Sequence, residues 1–382
     1  MNRWDAAERV LAVRLDAMGD VLMSGPAIRA LAEDRPGRRV ALLTSRAGSA
    51  AAALLPGVDE IIAYEAPWMK AATPRHSSHP EFDLIERLRR ERFDAAAIFT
   101  VYSQSPLPAA LTCFLAGIPL RLAHCRENPY QLLTDWVKEE EPDRLNRHEV
   151  RRQLDLVAEI GCRTADERLH AAIPDEAAAH IRQTLRWLEL DGALRWAVVH
   201  PGASAPSRRY PPELFARACR ELILKHHVRL LFTGSEEERP LVDEIRERID
   251  APSECLAGEL SLEELAALLA AAPLLVANNT GPVHLAAAVG CSVVDLYALT
   301  NPQHTPWMVP HRVLSHDVSC RWCYKSVCPE GHQDCLRKVP PESVVHAVLQ
   351  LLEQHDHGKL EGLTPLARQG GIPVPHNLME TY

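Results

Sequence analysis

The sequence predicts an α/β protein of two Rossmann-like domains, whose parallel sheets face a central cleft. The chain has 382 residues, which is too long for one ordinary hydrophobic core. Apolar strand-like segments alternate with helical segments in two separate series, as in βαβ units that form parallel sheets covered on both faces. We therefore expect an N-terminal domain over residues 1–175 and a C-terminal domain over residues 190–355.

The first series opens with a buried strand at residues 10–15 and closes with a helix at residues 147–160. Between them the pattern predicts strands at 39–44, 60–63 and 95–100, and helices at 20–33, 47–55, 82–91 and 106–116. Residues 67–80 (PWMKAATPRHSSHP) have no apolar periodicity. They are predicted to form a long loop, a kind of segment that is often functional.

The second series opens with a strand at residues 196–200 and closes with a helix at residues 341–354. The remaining elements are strands at 228–233, 274–277 and 292–296, and helices at 212–225, 237–249, 261–271 and 282–289. The helix at 261 carries the capping signal SLEE. The tail over residues 358–382 is rich in glycine and proline, and we expect it to be flexible.

The net charge of the chain is −9, from 42 basic and 51 acidic residues, which argues against nucleic acid as the main partner. The basic run RLRRER at residues 87–92 favours a solvated helix face, with contact to an anionic lipid surface as the alternative. No apolar stretch reaches the 18 or so residues of a membrane span. Because no signal peptide is evident, we expect a cytoplasmic protein, with a peripheral position at the inner membrane face left open.

Two loops of the second series offer polar groups directly after predicted strands. In the first, PGASAPSRR, Ser204 supplies a hydroxyl group, and Arg208 or Arg209 can pair with phosphate. In the second, TGSEEE, Glu236 can accept hydrogen bonds from ribose hydroxyls. A purely structural role explains the residues of each loop equally well. Arginines are common on surface loops, and Ser235 would cap the next helix.

A third loop, NNTGPVH at residues 278–284, joins a strand to a helix. Thr280 or Gly281 would cap this helix, whose first turn contains Pro282, and would leave backbone amides free to bind an anion. An ordinary helix cap without a ligand is the alternative. All three loops follow parallel strands at the edge where open α/β sheets bind ligands. Together they predict a site for a nucleotide diphosphate.

One comparable loop, LDAMGDV, lies in the first series. Gly19 would allow close approach of a ligand to the backbone, and Asp20 begins a helix. Asp20 is explained either as an N-cap or as a carboxylate that faces the nucleotide loops across the cleft and takes a proton from an acceptor hydroxyl.

These loops resemble the signature regions of glycosyltransferase family 9, the ADP-heptose:lipopolysaccharide heptosyltransferases and their relatives. The resemblance is carried, in order, by VRLDAMGDVLMSGPAIRAL, VVHPGASAPSRRYPPELFARACREL and VANNTGPVHLAAAVG, and it spans residues 10–351. It implies the GT-B fold, with the donor nucleotide on the C-terminal domain and the acceptor on the N-terminal domain. It also implies inverting, metal-independent transfer of a sugar, with ADP-heptose as the expected donor and a glycan or glycolipid as the acceptor.

The resemblance also implies roles for single residues. The aspartate of the family's GD pair falls on Asp20, the implied general base, and Asp16 adds a second carboxylate nearby, which would raise one pKa if the two are close. The family often has lysine where this chain has Arg208. Its DTGxxH motif becomes residues 279–284, so Asn279 replaces an aspartate and loses its charge, which would change the donor preference. The donor site would then comprise Ser204, Arg208, Glu236, Asn279, Thr280, Gly281, Pro282 and His284, with Asp16 and Gly19 in the facing loop.

Other interpretations remain open at this stage. His284 is either a phosphate contact or a core histidine behind the loop. A nucleotide-sugar epimerase or hydrolase of the same architecture would use the same loops without an acceptor, and a non-catalytic nucleotide-sugar sensor would bind without turnover.

Four of the ten cysteines lie in one segment, CRWCYKSVCPEGHQDC, at Cys320, Cys323, Cys328 and Cys335. Four thiolates complete a tetrahedral site and leave no open position, so the spacing favours a structural zinc ion, or iron. Free thiols or a redox pair are the alternatives. The other six cysteines are scattered singly, which is typical of small buried hydrophobic residues.

Overall fold

The computed structural model describes residues 3–70, 72–193 and 195–361, with side chains as far as residue 356, and it contains two six-stranded parallel sheets. The strand order in the first sheet is β3-β2-β1-β4-β5-β6. Its strands are β1 (Arg9–Arg14), β2 (Arg39–Thr44), β3 (Glu60–Ala63), β4 (Ala95–Ile98), β5 (Leu120–Cys125) and β6 (Asp135–Lys138). Its helices are α1 (Met18–Glu33), α2 (Arg46–Ala52), α3 (His79–Glu91), α4 (Leu107–Leu115) and α5 (Glu149–Ala158).

The second half of the chain repeats this topology. Its strands are β7 (Trp196–His200), β8 (Arg229–Phe232), β9 (Glu254–Cys255), β10 (Leu274–Asn278), β11 (Ser292–Leu296) and β12 (His311–Leu314), in the order β12-β11-β10-β7-β8-β9. Its helices are α6 (Asp175–Trp187), α7 (Pro212–His226), α8 (Arg239–Ile249), α9 (Leu262–Ala271), α10 (Gly281–Ala288), α11 (Asp334–Arg337) and α12 (Pro341–Glu361). Each sheet thus has the doubly wound Rossmann order, which confirms the predicted α/β class.

Most predicted elements are present, and the differences have physical causes. The sequence pattern missed β5, in which polar side chains interrupt the apolar run, and β6, β9 and β12, which are short and half-exposed. The predicted loop at 67–80 ends earlier, because α3 begins at His79. Helix α12 continues to Glu361, so the first four residues of the expected tail are helical. Residues 362–382 of that tail lie outside the described residues.

The hydrophobic core joins the two halves of the chain. One cluster of buried side chains includes Val21 and Leu22 of α1 together with Val283 and Leu285 of α10, and these two helices pack against each other. The N-terminal ends of α1 and α10 follow β1 and β10, so both lie at the carboxyl edges of the sheets, where ligands bind in this class of fold.

Surface features bear on the expected partners. Among the described residues, no helix combines the length and the apolar composition that crossing a bilayer requires. The basic run at 87–92 is partly neutralised, since Arg87 pairs with Glu60 at 3.0 Å and Arg89 pairs with Glu86. Five of the six scattered cysteines are buried as expected, and Cys255 is half-buried.

Candidate functional site

A buried arginine organises the loop between β1 and α1. The guanidinium group of Arg14 is fully buried and forms ion pairs with three carboxylates: Asp16 at 2.9 Å, Asp20 at 3.0 Å and Glu149 of α5 at 2.8 Å. Gln104 also donates a hydrogen bond of 2.6 Å to Asp16. One positively charged group therefore pairs with three carboxyl groups, so the cluster contains more acidic than basic groups.

The three carboxyl groups have different affinities for protons. Burial raises the pKa of Asp16 to about 6, assisted by the charges of Asp20 and Glu149 and opposed by Arg14. Burial likewise raises the pKa of Asp20, while Arg14 opposes the shift. Burial also disfavours the charged form of Glu149, but the nearby cations, Arg14 first, outweigh it and lower its pKa to about 2. Glu149 is thus the permanent anion of the cluster.

Asp20 is the carboxylate of this cluster that reaches the cleft between the sheets. Its side chain is 21% exposed, whereas that of Glu149 is completely buried. The alternative explanation of Asp20 as an N-cap is wrong, because Ala17 occupies the N-cap position of α1 and Asp20 lies in its first turn. The side chain of Asp20 is therefore held by Arg14 rather than by the helix end.

Buried Asn278 fastens the loop after β7 to the loop after β10. Its amide donates to the carbonyl of Pro201 at 2.7 Å, and its oxygen accepts from the amide of Tyr210 at 2.9 Å. Within the first loop, Ser204 is exposed. The fixed hydroxyl is instead that of buried Ser207, which donates to the carbonyl of Lys325 at 2.8 Å.

The two neighbouring arginines of this loop have different positions. Arg209 is exposed, and its Nε donates to the carbonyl of Ala203 at 2.7 Å. Arg208 is half-buried and faces the opposite half of the molecule. Burial raises the pKa of Asp20, and the nearby positive charge of Arg208 opposes that shift. Burial lowers the pKa of His284, and the charge of Arg208 adds to that shift. Arg208 is thus the cation that the fold brings towards Asp20.

The second loop departs from the prediction. Glu236 is exposed, and the carboxylate that turns towards the first loop is that of Glu238, which lies 3.4 Å from Nε2 of His200. A Cβ atom at Gly202 would lie 2.0 Å from Oε1 of Glu238, so glycine is required for this approach. Ser235 does not cap α8, whose N-cap position is occupied by Glu238.

The third loop forms the predicted strand-to-helix junction. Thr280 is the N-cap of α10, but its hydroxyl donates to the carbonyl of Asn278 at 3.2 Å instead of capping the helix. Pro282 lies in the first turn, as predicted. The side chain of Asn279, which is 5% exposed, donates to Asp295 of β11 and to the carbonyl of His304, at 2.8 Å each.

Glycines at the ends of α1 and α10 allow these helices to meet. A Cβ atom at Gly19 would lie 2.8 Å from Cδ2 of His284, and one at Gly281 would lie 2.0 Å from Cε of Met18. His284 is buried, and its Nδ1 has no hydrogen-bond partner among the described residues. The structure therefore places His284 behind the loop as a core residue, and Gly19 makes room for it.

A cavity of about 280 Å³ lies beside the Asp16 loop, at the carboxyl edge of the first sheet. Its lining residues are Tyr102, Ser103, Gln104, Ser105, His124, Arg126, Glu127, Glu139 and Pro142. Gln104 connects this cavity to Asp16 and, through Arg14, to Asp20. The cavity opens near the candidate base, and most of its lining residues have polar side chains.

The cysteine-rich segment supports the loop that carries Arg208. The amide of Ser207 donates to the carbonyl of Ser326 at 3.0 Å, and Gln333 donates to the carbonyl of Pro206 at 2.6 Å. Lys70 from the first half of the chain donates to the hydroxyl of Ser326 at 2.8 Å. Over the described part of the chain, no three or more histidine, cysteine, aspartate or glutamate side chains form a group that could hold a metal ion.

Several residues of this site were not predicted from the sequence. An arginine inside the otherwise apolar run VLAVRL was a usable signal for Arg14, because a buried charge needs partners. Glu149 and Asp295 had no comparable signal, since tertiary packing alone brings them to the site. Asn278 and Glu238 lie in loops that the motifs located, but their roles depend on contacts made by folding.

Comparisons with known proteins identify the family of the chain. The model of the family described as glycosyltransferase family 9 (heptosyltransferase) matches residues 82–333. Lipopolysaccharide heptosyltransferase 2 of Escherichia coli K12 is 27% identical over 307 residues, which are 76% of this chain and 86% of that protein. Lipooligosaccharide heptosyltransferase 2 of Campylobacter jejuni is 27% identical over 161 residues, 41% of this chain and 50% of that protein.

Solved structures share the fold. A glycosyltransferase of family 9 from Veillonella parvula superposes with a TM-score of 0.75 at 19% identity, over 92% of this chain and 99% of that one. The E. coli ADP-heptose LPS heptosyltransferase II superposes with a TM-score of 0.69 at 24% identity, over 91% and 99%. The family match covers well over half of the sequence, and the two sheets repeat the architecture of these structures. The chain therefore belongs to glycosyltransferase family 9 and is a glycosyltransferase with the GT-B fold.

Proposed function

We propose that this protein transfers a heptose from ADP-heptose to a hydroxyl group of a glycan or glycolipid acceptor, with inversion at the anomeric carbon. The observation that carries the proposal is the placement of Asp20, a partly exposed carboxylate held by Arg14, opposite the loop of Arg208. The related heptosyltransferases support the choice of donor and favour lipopolysaccharide core or another cell-surface glycan as the product.

The reaction needs a base on one side of the sugar and positive charge on the other. Asp20 would accept the proton of the acceptor hydroxyl while that oxygen attacks the anomeric carbon. The bond from this carbon to the diphosphate would break on the opposite face, and its electron pair would leave with the diphosphate. Arg208 and the amides at Thr280 and Gly281 would stabilise that charge in place of a metal ion.

The remaining predicted residues receive smaller roles in this proposal. Ser204 and Glu236 are both exposed at the rim, where each is free to contact the nucleotide. The acceptor would bind on the N-terminal half, where the cavity lined by Gln104 lies beside Asp16. A cytoplasmic location, and contact of the acceptor end with the inner membrane face, stay predictions.

A thermal-shift screen of ADP-, GDP-, UDP- and dTDP-sugars, followed by turnover assays, tests the function. We expect ADP-heptose to raise the melting temperature most, because ligands that bind the native state stabilise it. We also expect sugar release from the donor to depend on the acceptor. Epimerised or hydrolysed donor in the absence of any acceptor would instead favour an epimerase or hydrolase.

We further propose that Cys320, Cys323, Cys328 and Cys335 hold a structural zinc or iron ion. Burial raises the pKa of Cys335, and the other three cysteines add to the shift. The four side chains would still have to move together around the ion, because they do not form a ligand set in the described part of the chain. Sγ of Cys320 also lies 3.8 Å from Nε2 of His332. The ion would fasten the segment that supports the Arg208 loop.

Elemental analysis of protein purified without added metal tests this second proposal. We expect about one zinc or iron per chain, and loss of that metal in the C320S/C323S double variant. C255S, at the half-buried end of β9, is the control and should keep the metal. The proposal would be contradicted if the wild-type protein contained no metal and were as stable as the C320S/C323S variant.

A further inference from the structure

Both hydrogens of the Asn279 side-chain amide are engaged on the buried side of the loop. Its nitrogen donates both to Oδ2 of Asp295 and to the carbonyl oxygen of His304, at 2.8 Å each. Asn279 is 5% exposed and Asp295 is 0% exposed, so water does not compete for these bonds. The planar amide is thereby fixed in one orientation, with its oxygen on the side away from both partners.

Asp295 is an unusual residue for its position. It lies inside β11, where it pairs with Ala277 of β10, and both neighbouring strand positions, Val294 and Leu296, are apolar. Its second oxygen, Oδ1, is buried and has no hydrogen-bond partner among the residues that the structure describes. A buried carboxyl group with an unused oxygen costs stability. Burial accordingly raises the pKa of Asp295 to about 8. Packing alone does not explain this side chain.

The oxygen of Asn279 is the group that this arrangement leaves available. Within residues 3–70, 72–193 and 195–361, no donor bonds to Oδ1 of Asn279, although both amide hydrogens have acceptors. Asn279 immediately precedes Thr280, the N-cap of α10, where the proposed diphosphate would bind. An acceptor oxygen at this point is suited to a sugar hydroxyl group of the donor.

We infer that Asp295 is a positioning residue for the donor: it turns Asn279 so that Oδ1 of Asn279 accepts a hydrogen bond from a hydroxyl group of the transferred sugar. The inference rests on the proposed function. An aspartate at position 279 would bring two buried carboxylates together at the observed 2.8 Å. Asparagine at 279 and aspartate at 295 are therefore a matched pair. The amide lies directly after β10, next to the proposed donor site, and the carboxyl group lies in the neighbouring strand β11.

Steady-state kinetics with ADP-heptose and a matched set of variants test this role. Asp295→Ala releases the Asn279 amide, so we expect the KM for the donor to rise about tenfold, while kcat changes less than about threefold. Its melting temperature should change little, because the removal of a half-satisfied buried carboxyl group is offset by the acceptor that the Asn279 amide loses. Asp295→Asn keeps an oxygen that accepts the hydrogen bond from Asn279. This variant should therefore have the same KM for the donor as the wild type.

Exchange of the two side chains supplies the complementary test. Asn279→Asp alone should lower both donor affinity and stability, and the N279D/D295N double variant should recover much of each. An unchanged KM in Asp295→Ala, or a protein that fails to fold, would assign Asp295 to the core and overturn the inference. If the wild-type protein neither binds nor uses any nucleotide sugar, the proposed function fails first, and the inference fails with it.

Discussion

The NH2 group of Arg14 lies 3.0 Å from Oδ1 of Asp20, and this contact fixes the candidate base at the mouth of the cleft. The side chain of Arg14 cannot turn towards solvent, because it is fully buried and also forms ion pairs with Asp16 and Glu149. Asp20 consequently has one fixed oxygen, while its partial exposure leaves room for an acceptor hydroxyl. The same arginine that positions Asp20 also stabilises its negative charge.

Replacement of Asp20 by asparagine tests the assignment of the base. The amide cannot accept the proton of the acceptor, so we expect turnover to fall by at least about a hundredfold. Donor affinity should change little, because the proposed donor contacts lie on the other half of the molecule. Asp83→Asn, on the exposed face of α3, removes the same charge elsewhere and should keep full activity. If Asp20→Asn retained turnover, Asp20 would not be the general base.

Asp16→Asn should stabilise the protein in a pH-dependent way. The folded-state pKa of Asp16, about 6, lies above its ordinary value of 3.8, so the native state binds this proton more tightly than the unfolded chain does. The wild-type protein therefore loses stability as the pH rises from about 4 to about 6, and the variant is spared this loss. By pH 7 the variant should be more stable by up to about 3 kcal/mol.

Urea unfolding of both proteins between pH 4 and pH 7 measures this difference, since contributions from titrating groups outside the Arg14 cluster cancel. Asp83→Asn controls for the loss of one negative charge. A difference in unfolding free energy that stays constant with pH would show that Asp16 does not titrate in this window.

Sequence patterns were sufficient for strands in which at most one polar side chain interrupts the apolar run. The runs at Trp196–His200 and Ser292–Leu296 were predicted to the residue. Strand β5 was missed because Arg121 and His124 interrupt its apolar pattern. Both are buried, and each has a hydrogen-bond partner in the backbone outside the strand. Arg121 donates to the carbonyl of Leu132 at 2.7 Å, and Nε2 of His124 lies 3.2 Å from the carbonyl of Arg152. Partners of this kind are created by folding and cannot be inferred from local sequence.

The same limit applies to the site. Local motifs located the Asp20 loop and the turn at Asn279, because a helix end after a strand has a recognisable sequence. They did not single out Glu238, the carboxylate that turns inward in the loop after β8, whereas the predicted Glu236 is exposed. The partner of Arg14 on α5, Glu149, is 135 residues away in the chain, and only the packing of α1 against α5 brings it close.

The contact between α1 and α10 predicts different costs for two similar substitutions. Gly19→Ala places Cβ 2.8 Å from the ring of buried His284, which has little space to move, so we expect a loss of about 1–3 kcal/mol in unfolding free energy. Gly281→Ala meets the terminal methyl group of half-buried Met18. This flexible side chain can rotate away, and the cost should stay below about 1 kcal/mol. Chemical denaturation measures both, and equal losses would contradict this account of the interface.

Arg208 and Arg209 offer the sharpest matched comparison, because neighbouring residues of the same type have different surroundings. Arg208 contributes to the electrostatic environment of Asp20, His284 and Asp295 in the cleft, whereas Arg209 is exposed and bound to the backbone.

We expect Arg208→Ala to lower kcat/KM for the donor by about a hundredfold or more, since the charge on the departing diphosphate loses its main side-chain partner. Arg208→Lys keeps the charge without the planar fork and should recover part of this loss. Arg209→Ala should stay within about threefold of the wild type. Comparable losses in both alanine variants would mean that the loop binds phosphate through its overall charge, and that the position of Arg208 opposite Asp20 is not what matters.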